Sequence, residues 1–278
     1  MTAAEAELAR IRADREAARL AAAQVPKEEV ARADDVDADG VPARLYVPAG
    51  PAGAYDRGLI VHVHGGGFVF NDVEVHDGPA RRLANRTGRA VLSVDYRLAP
   101  EHPFPAAVDD VDRALAWAAE RTDRLVVHGD SAGANLALVG ALRDPGRVRA
   151  VVLVYPFLDA SSSLPSYEET GGSWERDEAQ WYWRHYLGGQ DRYADPEVAP
   201  LHSTRLSELP PTLVLTAEDD VARDDGEHLV ERLRAEGVRV QASRVLGVPH
   251  GFWRMPDFAD ANDLAMRQTA GFLDLVGV

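Results

Sequence analysis

Short apolar runs rich in β-branched residues recur along the chain, at Leu59–Val63, Ala90–Val94, 124–127, 150–155, 212–216 and 238–245. Between them lie stretches of helical periodicity at 76–87, 106–121, 132–142 and 224–236. Strands alternating with helices predict an α/β fold, a mainly parallel sheet covered by helices on both faces. Residues 30–33 and 43–47, joined by a turn at Asp39 and Gly40, predict an antiparallel hairpin that begins the sheet. Asp35, Asp37, Asp39 and Gly40 also spell half of a calcium loop. The twelfth position is Tyr46 and Pro42 interrupts the loop, so solvated aspartates of a hairpin are expected instead.

Residues 156–207 break the alternation. They contain no clear strand, yet 155–193 holds nine of the chain's 20 aromatic residues, among them Trp174, Trp181, Tyr182, Trp183 and Tyr186. This insertion is expected to be a lid over the carboxyl ends of the strands, where open parallel sheets place their ligands; the other reading is a helical excursion with its own small core.

Composition narrows the chemistry. A chain of 278 residues that is 46% hydrophobic fills a sizeable core, which excludes disorder. Its 30 basic and 45 acidic residues leave a net charge of -15, which opposes nucleic acid and anionic membrane surfaces. The absence of cysteine removes disulfides, thiolate nucleophiles and cysteine zinc sites. The first 26 residues mix acids with arginines and read as a charged amphipathic helix rather than an address, and the longest apolar run, 150–158, is too short to span a bilayer. A soluble, cytoplasmic protein is expected.

The segment LVVHGDSAGANLAL at 125–138 places GxSxG, from Gly129 through Asp130, Ser131 and Ala132 to Gly133, between a strand and a helix. That is the setting of a nucleophile elbow, where glycines on either side let backbone approach a strained serine. HGGGF, from His64 through Gly65, Gly66 and Gly67 to Phe68, directly follows another apolar run. Consecutive glycines there leave bare N–H groups, so Gly66, Gly67 and Ala132 are candidate donors to an oxyanion, with His64 bracing the loop. No phosphate-loop pattern competes, and Lys27 is the chain's only lysine. A serine hydroxyl needs a base, and His250, in a loop between the last strand and the C-terminal helix, is the candidate. A carboxylate should precede it. The stretch from Glu218 through Asp219 and Asp220 to Asp224 and Asp225 offers several, of which Asp224 and Asp225 read as helix caps while Asp219 and Asp220 lie nearer the strand end.

HGGGF, DYRLAPEHPFPAA at 95–107, GDSAGAN at 129–135, LPPTLV at 209–214, DDVARDDGE at 219–227 and HGF at 250–252 resemble, in order, the motifs of the hormone-sensitive lipase family of α/β-hydrolase esterases, bacterial family IV. The resemblance runs from about residue 41 to the C-terminus. It implies an α/β-hydrolase domain over 1–278, with a helical cap from about 1–28 and 156–207. It also implies Asp220 as the third member of a triad with Ser131 and His250, although Val221 and Ala222 replace the family's Pro and Leu. The implied activity is hydrolysis of short to medium acyl or aromatic esters through an acyl-enzyme, without metal or organic cofactor.

The expected partner is a small-molecule ester, with neither nucleic acid nor stable membrane insertion. The rivals are an amide, lactone or arylformamide hydrolase on the same triad, and a small-molecule receptor of gibberellin-receptor type, against which His250 argues. His62 and His64 share a strand face, but no third ligand is evident, so no metal is expected. Glu101 and His102 are expected in a loop that buttresses the site; His76, His185, His202 and His228 are expected at the surface. An exposed final strand offers an edge on which a homodimer would form.

Overall fold

The computed structural model describes residues 2–50, 55–169 and 174–278. Eight strands form one sheet: β1 (Arg32–Asp37), β2 (Pro42–Val47), β3 (Leu59–Val63), β4 (Ala90–Val94), β5 (Leu125–Asp130), β6 (Ala150–Val154), β7 (Thr212–Asp219) and β8 (Val240–Pro249). Their spatial order is β1-β2-β4-β3-β5-β6-β7-β8. The β1–β2 and β2–β4 pairs are antiparallel and every later pair is parallel.

Every residue of β3, β4, β5 and β6 is buried, which explains why these strands read as continuous apolar runs. Helices cover both faces. On one, α3 (Ala106–Ala119), α4 (Ala132–Arg143) and α6 (Arg223–Ala235) bury Leu115, Leu136 and Leu229. On the other, α2 (Asp77–Thr87) and α7 (Ala259–Val276) bury Leu83, Met266 and Phe272. Each such apolar side chain contributes about 1.5–3 kcal/mol relative to exposure.

The hairpin forms, but its first strand lies at Arg32–Asp37 rather than 30–33. Asp39 and Gly40 have φ of 58° and 78°, the two left-handed residues that a type I′ turn requires, and the Gly40 N–H donates to Asp37 Oδ1 at 2.6 Å. The aspartates thus belong to an edge strand and its turn.

Between β6 and β7 the described residues contain α5 (Arg176–Leu187) and short 3₁₀ turns; residues 170–173 of the expected insertion lie outside the described residues. The aromatic residues pack downward. Tyr186 stacks on Phe68 with ring centres 3.8 Å apart, and Trp183 lies 4.5 Å from Phe157, so the insertion shares the core of the sheet. The N-terminal α1 (Ala3–Ala23) buries Ile11 alone, and polar contacts hold it. Glu7 accepts hydrogen bonds from Trp181 and His185 of α5, while Arg15 donates to Val69 O, Ala99 O and Glu101. Glu101 therefore anchors α1 beside the glycine loop. No helix among the described residues is long and apolar enough to cross a membrane.

Candidate active site

Parallel pairing brings distant parts of the chain to one edge of the sheet. Val63 pairs with Gly129, Asp130 with Val154, and Asp219 with Pro249, so the glycine loop, Ser131, Asp220 and His250 all emerge at carboxyl ends of neighbouring strands.

Ser131 occupies a single-residue turn between β5 and α4 with φ 54° and ψ -124°. Its N–H donates to Val154 O at 2.9 Å. The turn is tight enough that a Cβ on Gly129 would lie 2.3 Å from Gly133 O, and one on Gly133 2.1 Å from Val63 O. Only glycine fits at either position, and the strained serine is held by the strands around it.

Ser131 Oγ donates to His250 Nε2 at 2.7 Å, and His250 Nδ1–H donates to Asp220 Oδ2 at 2.7 Å. The Asp220 carboxylate is fully buried. Its other oxygen accepts from Trp174 Nε1 and the Ala222 amide, each at 2.9 Å. The His250 ring is held between Tyr155 and Trp174, with centres 4.8 and 4.7 Å away. The competing carboxylates lie elsewhere. Asp219 is exposed, and Glu218 accepts from the Gly247 amide. Asp224 and Asp225 do not cap α6 as expected. Both lie inside the first turn of the helix, past its N-cap Ala222; Asp224 accepts from Ser166 N, and the buried Asp225 accepts from Leu158 N, Asp159 N and Tyr167 Oη.

The glycine loop is braced from several directions. Its Gly65 N–H donates to Asp130 Oδ1 at 2.9 Å, His64 Nδ1–H and Asn71 Nδ2 donate to Gly65 O, and Tyr96 Oη donates to His64 O. Gly66 and Gly67 have φ of 130° and 59°, and a Cβ on Gly67 would lie 2.0 Å from the Tyr182 ring. The N–H groups of Gly66, Gly67 and Ala132 have no acceptor among the described residues. A pocket of about 180 Å³ collects these groups, lined by Gly66, Gly67, Ser131, His250, Phe157 and Trp174 among others.

Beneath the elbow lies a polar cluster. Burial pushes the Asp130 carboxyl up to about 6, against the hydrogen bond from Gly65 and the charge of Arg254. His62 Nδ1 faces His128 Nδ1 at 3.0 Å, and His62 Nε2 faces His76 Nδ1 at 3.4 Å. Burial drives His62 and His76 well below the ordinary imidazole range and His128 down to about 3. The expectation that His76 lies at the surface is corrected: it is fully buried at the start of α2, packed against His62 and Trp253. His185 pairs with Glu7. Among the described residues His62, His76 and Asp130 also form the one group whose potential ligand atoms lie within 4.8 Å of one another; strand periodicity did not reveal that His76 and Asp130 join His62. The Asp130 oxygens already accept from the Gly65 amide and the Tyr155 hydroxyl. Sequence reasoning missed Trp174 as a partner of Asp220. Only the density of tryptophan in the insertion hinted at it.

Residues 60–254 match the family described as alpha/beta hydrolase fold. An ethyl acetate hydrolase of Pseudomonas putida is 34% identical over 241 residues, covering 82% of this chain and 76% of that protein. A hyperthermophilic esterase from the archaeon Pyrobaculum calidifontis superposes with a TM-score of 0.86 at 36% identity, covering 96% of this chain and 94% of that one. An esterase from the bacterial hormone-sensitive lipase family superposes with a TM-score of 0.86 at 28% identity, covering 96% and 92%. On these likenesses this chain belongs to the α/β-hydrolase fold family, in its bacterial hormone-sensitive lipase branch.

Proposed function

We propose that this chain is a serine carboxylic ester hydrolase that acts on short to medium acyl or aromatic esters through an acyl-enzyme. The observation that carries the reading is the unbroken pair of 2.7 Å hydrogen bonds from Asp220 through His250 to Ser131. Ser131 Oγ attacks the ester carbonyl while His250 Nε2 takes its proton and passes it to the leaving alcohol. Asp220 fixes the tautomer of His250 and stabilises its charged form, and Trp174 and Ala222 hold Asp220. The carbonyl oxygen becomes negative in the tetrahedral intermediate and is received by the N–H groups of Gly66, Gly67 and Ala132, such donors being worth about 3 kcal/mol each. Water then repeats the cycle on the acyl-enzyme.

The small aromatic pocket supports a short acyl chain, as does the likeness to a protein named for hydrolysis of ethyl acetate. α1 and residues 156–207 act in this reading as the cap that encloses the ester. The test is hydrolysis of p-nitrophenyl butyrate. Ser131→Ala and His250→Ala should each lower kcat by at least about a thousandfold with the fold intact by circular dichroism. Unchanged turnover in folded Ser131→Ala would overturn the mechanism.

A further inference from the structure

A second cleft, of about 450 Å³, opens beside the catalytic pocket and shares Gly66, Asn71, Tyr182 and Arg254 with it. Its walls are largely apolar, with Ala18 and Ala21 of α1 facing Phe70, Val75 and Pro79. Two guanidinium groups line it, the half-buried Arg82 of α2 and the exposed Arg254, four residues after His250. Neither has an ion pair or a side-chain hydrogen bond among the described residues.

For Arg82 that is unusual in so acidic a chain, because a guanidinium withdrawn from water ordinarily finds a carboxylate. The neighbours of Arg82 have done so: Arg81 and Lys27 pair with Asp77, and Arg86 pairs with Glu28 and Asp263. The carboxylates within reach are thereby taken, and Glu74, on the wall of the cleft, is held by Arg44. Burial pushes the Arg82 guanidinium down from its ordinary value, while Glu28 and Asp263 act on it without touching it. Arg254 projects its charge into the catalytic pocket, where it acts on Asp130 and Tyr155. A cleft with largely apolar walls and two unpaired guanidinium groups, adjoining a nucleophile, has the chemistry to hold a hydrocarbon chain with a terminal anion. A guanidinium fork pairs bidentately with a carboxylate, the anion that a hydrocarbon chain most simply carries.

We propose that the preferred ester carries a second, ionised carboxyl group, which Arg82 and Arg254 bind in this cleft while Ser131 attacks the ester carbonyl. The proposal rests on the ester-hydrolase reading and names its substrate class, of which a half-ester of a dicarboxylic acid is the simplest member. In the reaction the acyl C–O bond breaks, water supplies hydroxyl to the acyl carbon and a proton to the alkoxide, and the distal carboxylate is unchanged. The protein's net charge of -15 repels anions at long range, so any preference for such a substrate must be local.

The test compares mono-p-nitrophenyl esters of dicarboxylic acids with p-nitrophenyl esters of monocarboxylic acids of the same length, over four to ten carbons. A second arm places the carboxylate on the alcohol side, as butyryl esters of hydroxycarboxylic acids against butyrates of simple alcohols. At low salt one arm should show kcat/KM at least fivefold higher for the carboxylate ester, declining toward unity in 0.5 M NaCl. Arg82→Gln and Arg254→Gln should each lower that carboxylate-to-neutral ratio at least twofold, toward one. A ratio of one or less at every length in both arms, or a ratio unmoved in both variants, overturns the subsite. Loss of p-nitrophenyl butyrate hydrolysis itself would instead overturn the ester-hydrolase reading, so the two failures are distinguishable.

Discussion

Trp174 stands 46 positions before the carboxylate to which its indole N–H donates. Its ring also lies against the imidazole of His250, so one side chain of the insertion touches two members of the proposed triad. Hydrogen bonds to charged groups are worth about 1.5–3 kcal/mol, and Trp174→Phe keeps the ring while removing the donor. Because Ala222 still donates to the same oxygen, kcat for p-nitrophenyl butyrate should drop about tenfold while KM stays within about twofold. A drop carried by KM instead would show that Trp174 serves the pocket wall and not the acid. The residues of the site differ in how legible they were. Ser131 and the glycines around it are local patterns, because a one-residue turn between strand and helix confines them to five consecutive positions, even though the atom that excludes a side chain at Gly133 is Val63 O. Asp220 is not, since Glu218, Asp219, Asp224 and Asp225 crowd the same stretch and only the pairing of Asp219 with Pro249 sets which carboxylate faces His250. The resemblance to a family supplied what spacing left open. Trp174 had no local signature at all, because its partner is chosen by how the insertion folds back.

Among the elements, α1 is held in an unusual way. With Ile11 as its one buried residue, its docking depends on Arg15, whose guanidinium reaches Val69 O, Ala99 O and both oxygens of Glu101, on Arg12 to Glu101 and on Arg19 to Asp72. Arg15→Ala removes the charge and strands two backbone carbonyls, a loss of at least about 1.5 kcal/mol, or more than tenfold in the population of undocked helix. Cleavage within residues 10–19 by a protease should accelerate by that factor while the thermal midpoint moves by only a few degrees, since the sheet does not depend on α1. Equal cleavage rates in the two proteins would refute an ionic attachment. The strands tell a complementary story about legibility. β3 and β4 coincide with their expected limits because burial on both faces makes the whole strand apolar. The edge strands do not. β1 is the polar RADDVD, and β8 continues to Pro249 through Gly247, residues that read as breakers but are tolerated where one side of the strand lacks a partner.

For the molecule as a whole, the buried imidazoles beneath the elbow set a limit on acid stability. His62, His64, His76 and His128 are all lowered by burial, and the Nε2 atoms of His64, His76 and His128 have no hydrogen-bond partner among the described residues. Below about pH 6.5 the unfolded chain therefore takes up protons that the folded chain refuses, and stability falls as pH falls. Each histidine contributes about 1.4 kcal/mol per pH unit while this difference lasts, which for His128 extends down to about pH 3. Asp130 works in the opposite sense. Its carboxyl, raised to about 6, holds a proton in the folded state that the unfolded chain releases until about pH 3.9, so it returns about 1.4 kcal/mol per unit as pH falls through that window. Burial raises Asp225 well above the ordinary carboxyl range as well, so counting His62, His76 and His128 against Asp130 and Asp225, one net proton leaves a slope of about 1.4 kcal/mol per pH unit between pH 6 and 5, appreciable beside the 5–15 kcal/mol that holds a typical protein folded. The urea midpoint should thus be nearly flat from pH 8 to 7 and fall from 6.5 to 5, and His128→Asn should reduce the slope by about 1.4 kcal/mol per unit. A midpoint that holds constant down to pH 5 would mean that these histidines find protons, or partners for them, inside the folded chain.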